Sequence, residues 1–212
     1  MNQYNIGVIE NEIGIISDTH FRHGNIIRYC GRPVRFERKI INNCAFLFKS
    51  TKTVVHLGDF GFFNNRKKAL WYFDKIFPKD SQKILVIGNH DKRNKSVMRL
   101  PWDMKCDTLR FEYNGLKFLC KHRPFGYKRW WQWFFKYDIP DDVDIAIHGH
   151  IHEKGMRYSW KKDTNTLIVN ACVEHWNYMP LFSKSLAEEY YERKSYYQRR
   201  SQNERTLPKR GS

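Results

Sequence analysis

Four short stretches concentrate carboxylate, amide and imidazole groups: Asp18-Thr19-His20, Gly58-Asp59, Gly88-Asn89-His90-Asp91 and Gly149-His150-Ile151-His152. Their donors are spaced i, i+2 or stand beside glycine. Two side chains can therefore aim at one point while the backbone turns tightly and lets an ion approach. Mixed Asp, Asn and His donors suit borderline divalent ions such as Mn, Fe or Zn. An isolated Asp-x-His or Gly-Asp is common in unrelated chains. Four such stretches in succession, each after an apolar run, read as a metal site.

Those apolar runs are the elements that must position the donors. Residues 13–16, 53–57, 83–87 and 143–147 each end at one of the four stretches, and 166–171 is a fifth run. Continuous β-branched runs of this length suit strands covered on both faces. In α/β sheets, ligands collect at the carboxyl ends of such strands, so the four ends are expected to converge. Residues 109–113 and 116–120 flank Asn114-Gly115, a strong hairpin signal. Residues 4–10 are expected to pair with 13–17 through an Asn11-Glu12 turn. Helical spacing of apolar residues marks 36–49 and 66–77. The pattern predicts an α/β fold, two sheets with helices outside, over 1–182. Residues 183–212 read as a charged C-terminal helix (187–200) followed by a basic, frayed tail (201–212).

The order Asp-x-His, Gly-Asp, Gly-Asn-His-Asp, His, Gly-His-x-His resembles the calcineurin-like metallophosphoesterase superfamily, from about Ile13 to Pro180. Phe21-Arg22-His23-Gly24-Asn25-Ile26-Ile27-Arg28 and Trp176-Asn177-Tyr178-Met179-Pro180 further resemble a branch of small phosphoesterases from bacteria and their viruses. The resemblance implies a four-layer αββα sandwich with two divalent metal ions, Mn foremost, with Fe, Zn or Mg as alternatives. By motif position, Asp18 and His20 would bind the first ion with His152. Asp59 would bridge the pair, and Asn89, His122 and His150 would complete the second. His122 is matched by the His-x-Pro spacing of His122-Arg123-Pro124. His90 would stand near the leaving oxygen as the catalytic acid. The protein phosphatases of this superfamily carry an acid and an arginine shortly after Gly-Asp. Here the chain continues Phe60-Gly61-Phe62-Phe63, so a phosphoprotein substrate is disfavoured. His23, Asn25 and Arg28 are candidate phosphate contacts. Asp91 is expected to help orient the region, and His148 to support the ligand loop.

Net charge narrows the partners. The chain has 38 Lys and Arg against 22 Asp and Glu, a formal +16 over 212 residues. Such a field favours polyanions. Residues 121–137 hold five Lys or Arg, eight aromatics and no acid. That composition suits stacking on the bases of nucleic acid, with an anionic membrane as the alternative. Trp130 and Trp131 there, and Lys92 and Arg93 after the Gly-Asn-His-Asp loop, are candidate substrate contacts. The reading is hydrolysis of a phosphodiester in a nucleotide or nucleic acid. A phosphomonoesterase or pyrophosphatase on a small or lipid-linked phosphate is one alternative, and a non-catalytic binding module with the same fold is another. With 41% hydrophobic residues, wholesale disorder is excluded. No apolar run reaches the length of a spanning helix. The five cysteines form no Cys-x-x-Cys pair, which argues against zinc fingers and a disulfide scaffold. Reduced thiols and the lack of a signal-like start suggest a cytoplasmic protein.

Overall fold

The structure is a computed structural model that describes residues 2–125 and 139–206. Its elements run β1 (Gln3–Val8), β2 (Ile13–Ile16), α1 (Ile26–Tyr29), α2 (Phe36–Leu47), β3 (Thr53–His56), α3 (Arg66–Ile76), β4 (Gln82–Val86), α4 (Lys95–Met98) and β5 (Met104–Cys106). They continue with β6 (Thr108–Tyr113), β7 (Leu116–Lys121), β8 (Ile145–His148), β9 (Tyr158–Lys161), β10 (Thr166–Asn170), β11 (Leu181–Phe182) and α5 (Ser183–Thr206). One sheet has the order β11-β2-β3-β4-β5 and the other β1-β6-β7-β8-β10-β9. Strands β2 to β5 pair parallel throughout, as do β7 with β8 and β8 with β10.

Alternation along the strands builds the layers. Ile13, Ile15, Val55, Leu57, Ile84 and Val86 point into the core between the sheets. There they meet Phe111, Phe118, Ile145, Ile147 and Val169 of the second sheet. Ile16, Val54 and Leu85 point the other way, beneath Phe36, Ile40 and Cys44 of α2 and Ala69, Phe73 and Ile76 of α3. Both faces of β2, β3 and β4 are thus covered, which is why their sequences are continuously apolar. Outside the six-stranded sheet, Leu119, Ala146 and Ile168 pack with Phe125, Ile139 and Val143. The stretch carrying Trp130 and Trp131 lies outside the described residues. At the β6–β7 hairpin, Asn114 and Gly115 both take positive φ (50° and 73°), as a two-residue type I′ turn demands.

Two expectations are corrected. The first concerns β1, which does not pair with β2. It lies parallel to β6 on the edge of the other sheet. Most of its residues are exposed, and only Ile6 of the strand and the following Ile9 touch the core. Such a strand suits an edge, whereas the sites beside β2 belong to β3 and β11. The second concerns the C-terminal helix, which begins at Ser183 and runs to Thr206, into the expected tail. Leu186, Ala187 and Tyr190 of its first turns enter the core between the sheets, and Tyr190 donates to Asp144 (2.9 Å). Burial of one face of the early turns anchors a helix whose later turns are charged.

Candidate metal centre

The carboxyl ends of β2, β3, β4, β7 and β8 meet where the two sheets come together. A bridge between Ser17 and Cys172 spans the junction. The Asp18 N–H donates to the Gly58 carbonyl (3.0 Å), and the Gly149 N–H to the His122 carbonyl (2.9 Å). Glycines make the approach possible. A Cβ at Gly88 would fall on the Asp59 carboxylate, and one at Gly149 on Ser17 and Asp18. Five candidate ligands, Asp18, His20, Asp59, His150 and His152, have φ between 47° and 76°. Left-handed backbone costs a non-glycine residue about 1 kcal/mol or more, so the fold holds these side chains against local preference.

Two groups of ligand atoms result, Asp18 with His20 and His152, and Asp59 with His122 and His150. Asp59 stands between them. Its Oδ2 is 3.7 Å from His20 Nε2 and 3.4 Å from His122 Nε2. Asn89 Oδ1 is 3.0 Å from His122 Nε2. The remaining hydrogen bonds show which atoms are spare. Asp18 Oδ2 accepts from Ser17 Oγ (2.5 Å), the His150 N–H (3.0 Å) and Cys172 Sγ (3.3 Å). Asp18 Oδ1 and His20 Nε2 are buried without a hydrogen-bond partner, an expensive state for polar atoms unless a cation engages them. His152 directs Nδ1 to Glu174 (3.0 Å), leaving Nε2 for the cluster. His122 Nδ1 donates to the Leu57 carbonyl (2.7 Å), so Nε2 faces the oxygens of Asn89 and Asp59. A bare lone pair there would oppose two acceptors, and a positive charge resolves the conflict. The donor set therefore fits divalent metal ions.

The electrostatics agree. Burial opposes the charged form of His122, yet Asp59 and Asp18 outweigh it and raise the imidazole to about 9. Burial likewise opposes ionised Asp18, but the neighbouring histidines hold it well below the usual carboxylate range. Burial opposes charge on His152 too, and Glu174 and Asp18 raise it nonetheless. Burial lowers His20 and His150. Asp91, buried and beside Asp59, is pushed up to about 6. Its carboxylate accepts from the N–H groups of Asp59 (2.7 Å), Phe60 (3.0 Å) and Gly88 (2.9 Å). It thereby clamps two ligand loops together.

His56 supports the same loops from beneath. Its Nδ1 accepts from the Gly58 N–H (3.1 Å) and its Nε2 meets Thr19 Oγ1 (3.0 Å). The Thr19 hydroxyl donates to the Phe60 carbonyl (2.7 Å), so His56 is neutral with its proton on Nε2. Burial pushes it down to about 3. An unfolded histidine titrates near about 6.5, so below that pH the unfolded chain binds a proton that the native chain refuses. The stabilising contribution is complete above about 6.5 and is lost as pH falls toward 3. Urea unfolding in EDTA should show stability falling between pH 6.5 and 5. His56→Gln should remove up to one proton's share of that slope, about 1.4 kcal/mol per pH unit.

The other expected contacts are scattered. His90 reaches the cluster, with its N–H on Asp59 Oδ1 (2.9 Å) and Nε2 3.9 Å from Oδ2. His23 packs on His20, with Nδ1 atoms 3.3 Å apart. Asn25 and Arg28 are exposed around α1, and Arg93 is exposed after the Gly-Asn-His-Asp loop. Lys92 pairs with Asp107 (2.9 Å). His148 is buried, its Nδ1 on the Gly149 carbonyl (2.9 Å). Sequence reasoning missed Arg32 and Glu174. Arg32 is 2% exposed and donates to the carbonyls of Asp18 (2.7 Å) and Thr19 (3.0 Å) and to Glu174 Oε1 (2.6 and 2.8 Å). Glu174 in turn orients His152. The two are 142 residues apart, and no local pattern ties them. Cys30 sits beside His152 and Glu174, but burial and the acids Glu153 and Glu174 push its thiol up to about 12.

Comparison with known proteins identifies the family. A protein of Methanocaldococcus jannaschii, described as uncharacterised, is 30% identical over 175 residues, covering 80% of this chain and 86% of its own. The crystal structure of an Aquifex aeolicus protein of unknown function is similar, with TM-score 0.64 and 31% identity over 84% of this chain and 98% of that one. A family model, the calcineurin-like phosphoesterase superfamily domain, matches residues 12–172, which hold all the ligand candidates. With that match and the clustered ligands, the chain belongs to the calcineurin-like phosphoesterase superfamily.

Proposed function

We propose that the protein hydrolyses phosphodiester bonds in nucleotides or nucleic acid, using two divalent ions with Mn²⁺ foremost. The observation that supports it most is the Asp59 carboxylate set between two donor groups, one of which keeps Asp18 Oδ1 and His20 Nε2 unpartnered. Asp18, His20 and His152 would hold one ion, Asn89, His122 and His150 the other, and Asp59 both. When bound, such a pair grips phosphoryl oxygens and lowers the pKa of water.

The chain's own residues do the rest. Glu174 fixes the His152 ring, and Asp91 fixes the Asp59 loop. His90 keeps 43% of its side chain exposed at the rim, with Nε2 toward Asp59. That nitrogen can hold a proton for the leaving oxygen. The excess of 38 basic over 22 acidic residues supports a polyanionic substrate. No helix of the described residues is long and apolar enough to cross a membrane.

The test is hydrolysis of an activated phosphodiester, an activated monoester, and labelled single-stranded DNA and RNA. Diester and polymer turnover is expected in Mn²⁺, falling to background in EDTA and returning when Mn²⁺ is restored. Monoester turnover alone would sink the diester reading. Turnover that persists in EDTA would sink the two-metal reading, and no turnover of any substrate would favour a binding module.

A further inference from the structure

The run Phe60-Gly61-Phe62-Phe63 sends its aromatic rings in two directions. Phe60 and Phe63 are buried in the core beneath α2 and α3. Phe62 belongs to no core cluster and is only partly buried. Its ring contacts are histidines. It stacks on His23 at 4.1 Å between centroids with 28° between planes, and lies 4.9 Å from His90 and 5.8 Å from His20. Tyr29, 68% exposed, lies edge-on to His23 at 6.4 Å.

This partly buried ring is set in place by the backbone of its segment. The Phe62 N–H donates to the Phe21 carbonyl (2.8 Å), and Asn94 Nδ2 donates to the Gly61 carbonyl (3.2 Å). Gly61 bridges to Phe21, and a Cβ at Gly61 would strike Phe21 and Phe63, so the backbone here is closely packed. A fixed aromatic surface thus adjoins His20 and His90, where a scissile phosphate would sit. Planar rings stack on such surfaces regardless of base identity.

We infer that Phe62, backed by His23, offers its remaining ring face as a ledge on which the base of a nucleotide stacks while its phosphate lies at the metal centre. This rests on the phosphodiesterase reading and names its substrate class. It also gives His23 a stacking role in place of a phosphate contact.

The experiment separates the two ideas. Equilibrium binding of AMP and of ribose 5-phosphate is measured in Mn²⁺ with the full chain, its Phe62→Ala and Phe62→Trp variants. The wild type should prefer AMP by about 10-fold or more, within the roughly 5- to 150-fold span of one stacked base. The preference should collapse toward one in Phe62→Ala and persist in Phe62→Trp. Equal binding of the two ligands by the wild type, or detectable binding of neither, overturns the ledge. So does a Phe62→Ala variant that weakens both ligands equally, because that marks a structural role. A base preference without diester turnover would defeat the phosphodiesterase reading alone, and turnover without a preference the ledge alone.

Discussion

Replacing Asp59 with asparagine is expected to lower turnover of an activated phosphodiester in Mn²⁺ by about 10³-fold, since metal-borne charge stabilisation is worth several kcal/mol. The reason is geometric. The Asp59 carboxylate is the group that faces both donor clusters, at 3.7 Å from His20 and 3.4 Å from His122. Asparagine keeps the shape but halves the donor capacity and removes the charge that would hold two cations close together. Folding should survive. Asp59 has φ 56°, a conformation that asparagine tolerates, and the amide oxygen can still accept from the His90 N–H. Thermal unfolding in EDTA should remain one cooperative transition, lowered because buried His122 loses the carboxylate that raises it. Bound Mn²⁺ per chain should fall when measured by elemental analysis. Turnover within tenfold of wild type, with metal content unchanged, would remove Asp59 from the bridging position.

Arg32→Met should produce the largest loss of stability, about 3–5 kcal/mol, the usual result of removing one member of a buried ion pair. Arg32 and Glu174 have side-chain exposures of 0% and 7%, so solvent screening is slight. Methionine would fill the space beside Phe36 but leave Glu174 uncompensated and the carbonyls of Asp18 and Thr19 unanswered. A drop in melting temperature of about 6–20 °C corresponds to that range. Because Glu174 orients His152, metal affinity should also weaken by about 10- to 100-fold, as when groups behind a ligand are lost. Arg32→Lys should fall between the two, since it restores charge without the planar fork. A melting temperature within 2–4 °C of wild type for Arg32→Met would mean that the pair contributes about 1 kcal/mol or less and that its burial is incidental.

The sequence alone determined the continuously apolar strands, the candidate ligand loops at their ends and the hairpin, while the short strands β5, β9 and β11 carried no such signal. Strands covered on both faces must be continuously apolar, and Ile13 to Ile16 is legible for that reason. Ligand loops that touch need glycine at the touching point, as at Gly88 and Gly149, and Asn114-Gly115 announces its own turn. These signals are local, carried by neighbours within a few residues. The tertiary structure decided what depends on distant partners. The partner of β1 is set by which sheet edge accepts a mostly polar strand, not by the nearest turn. The first turns of α5 look charged in one dimension, yet bury Leu186 and Tyr190 because the core beside β2 has room for them. Arg32 becomes a support of the candidate metal centre only because folding brings Glu174 to it. Left-handed backbone at Asp18, His20, Asp59, His150 and His152 opposes local preference, so no propensity could have announced it. The run Phe60-Gly61-Phe62-Phe63 does not say in one dimension which ring leaves the core, and the fold sets Phe62 against the histidines. Hydrophobic periodicity and turn chemistry are written residue by residue, whereas buried charge pairing and strain exist only where the assembled fold outweighs them.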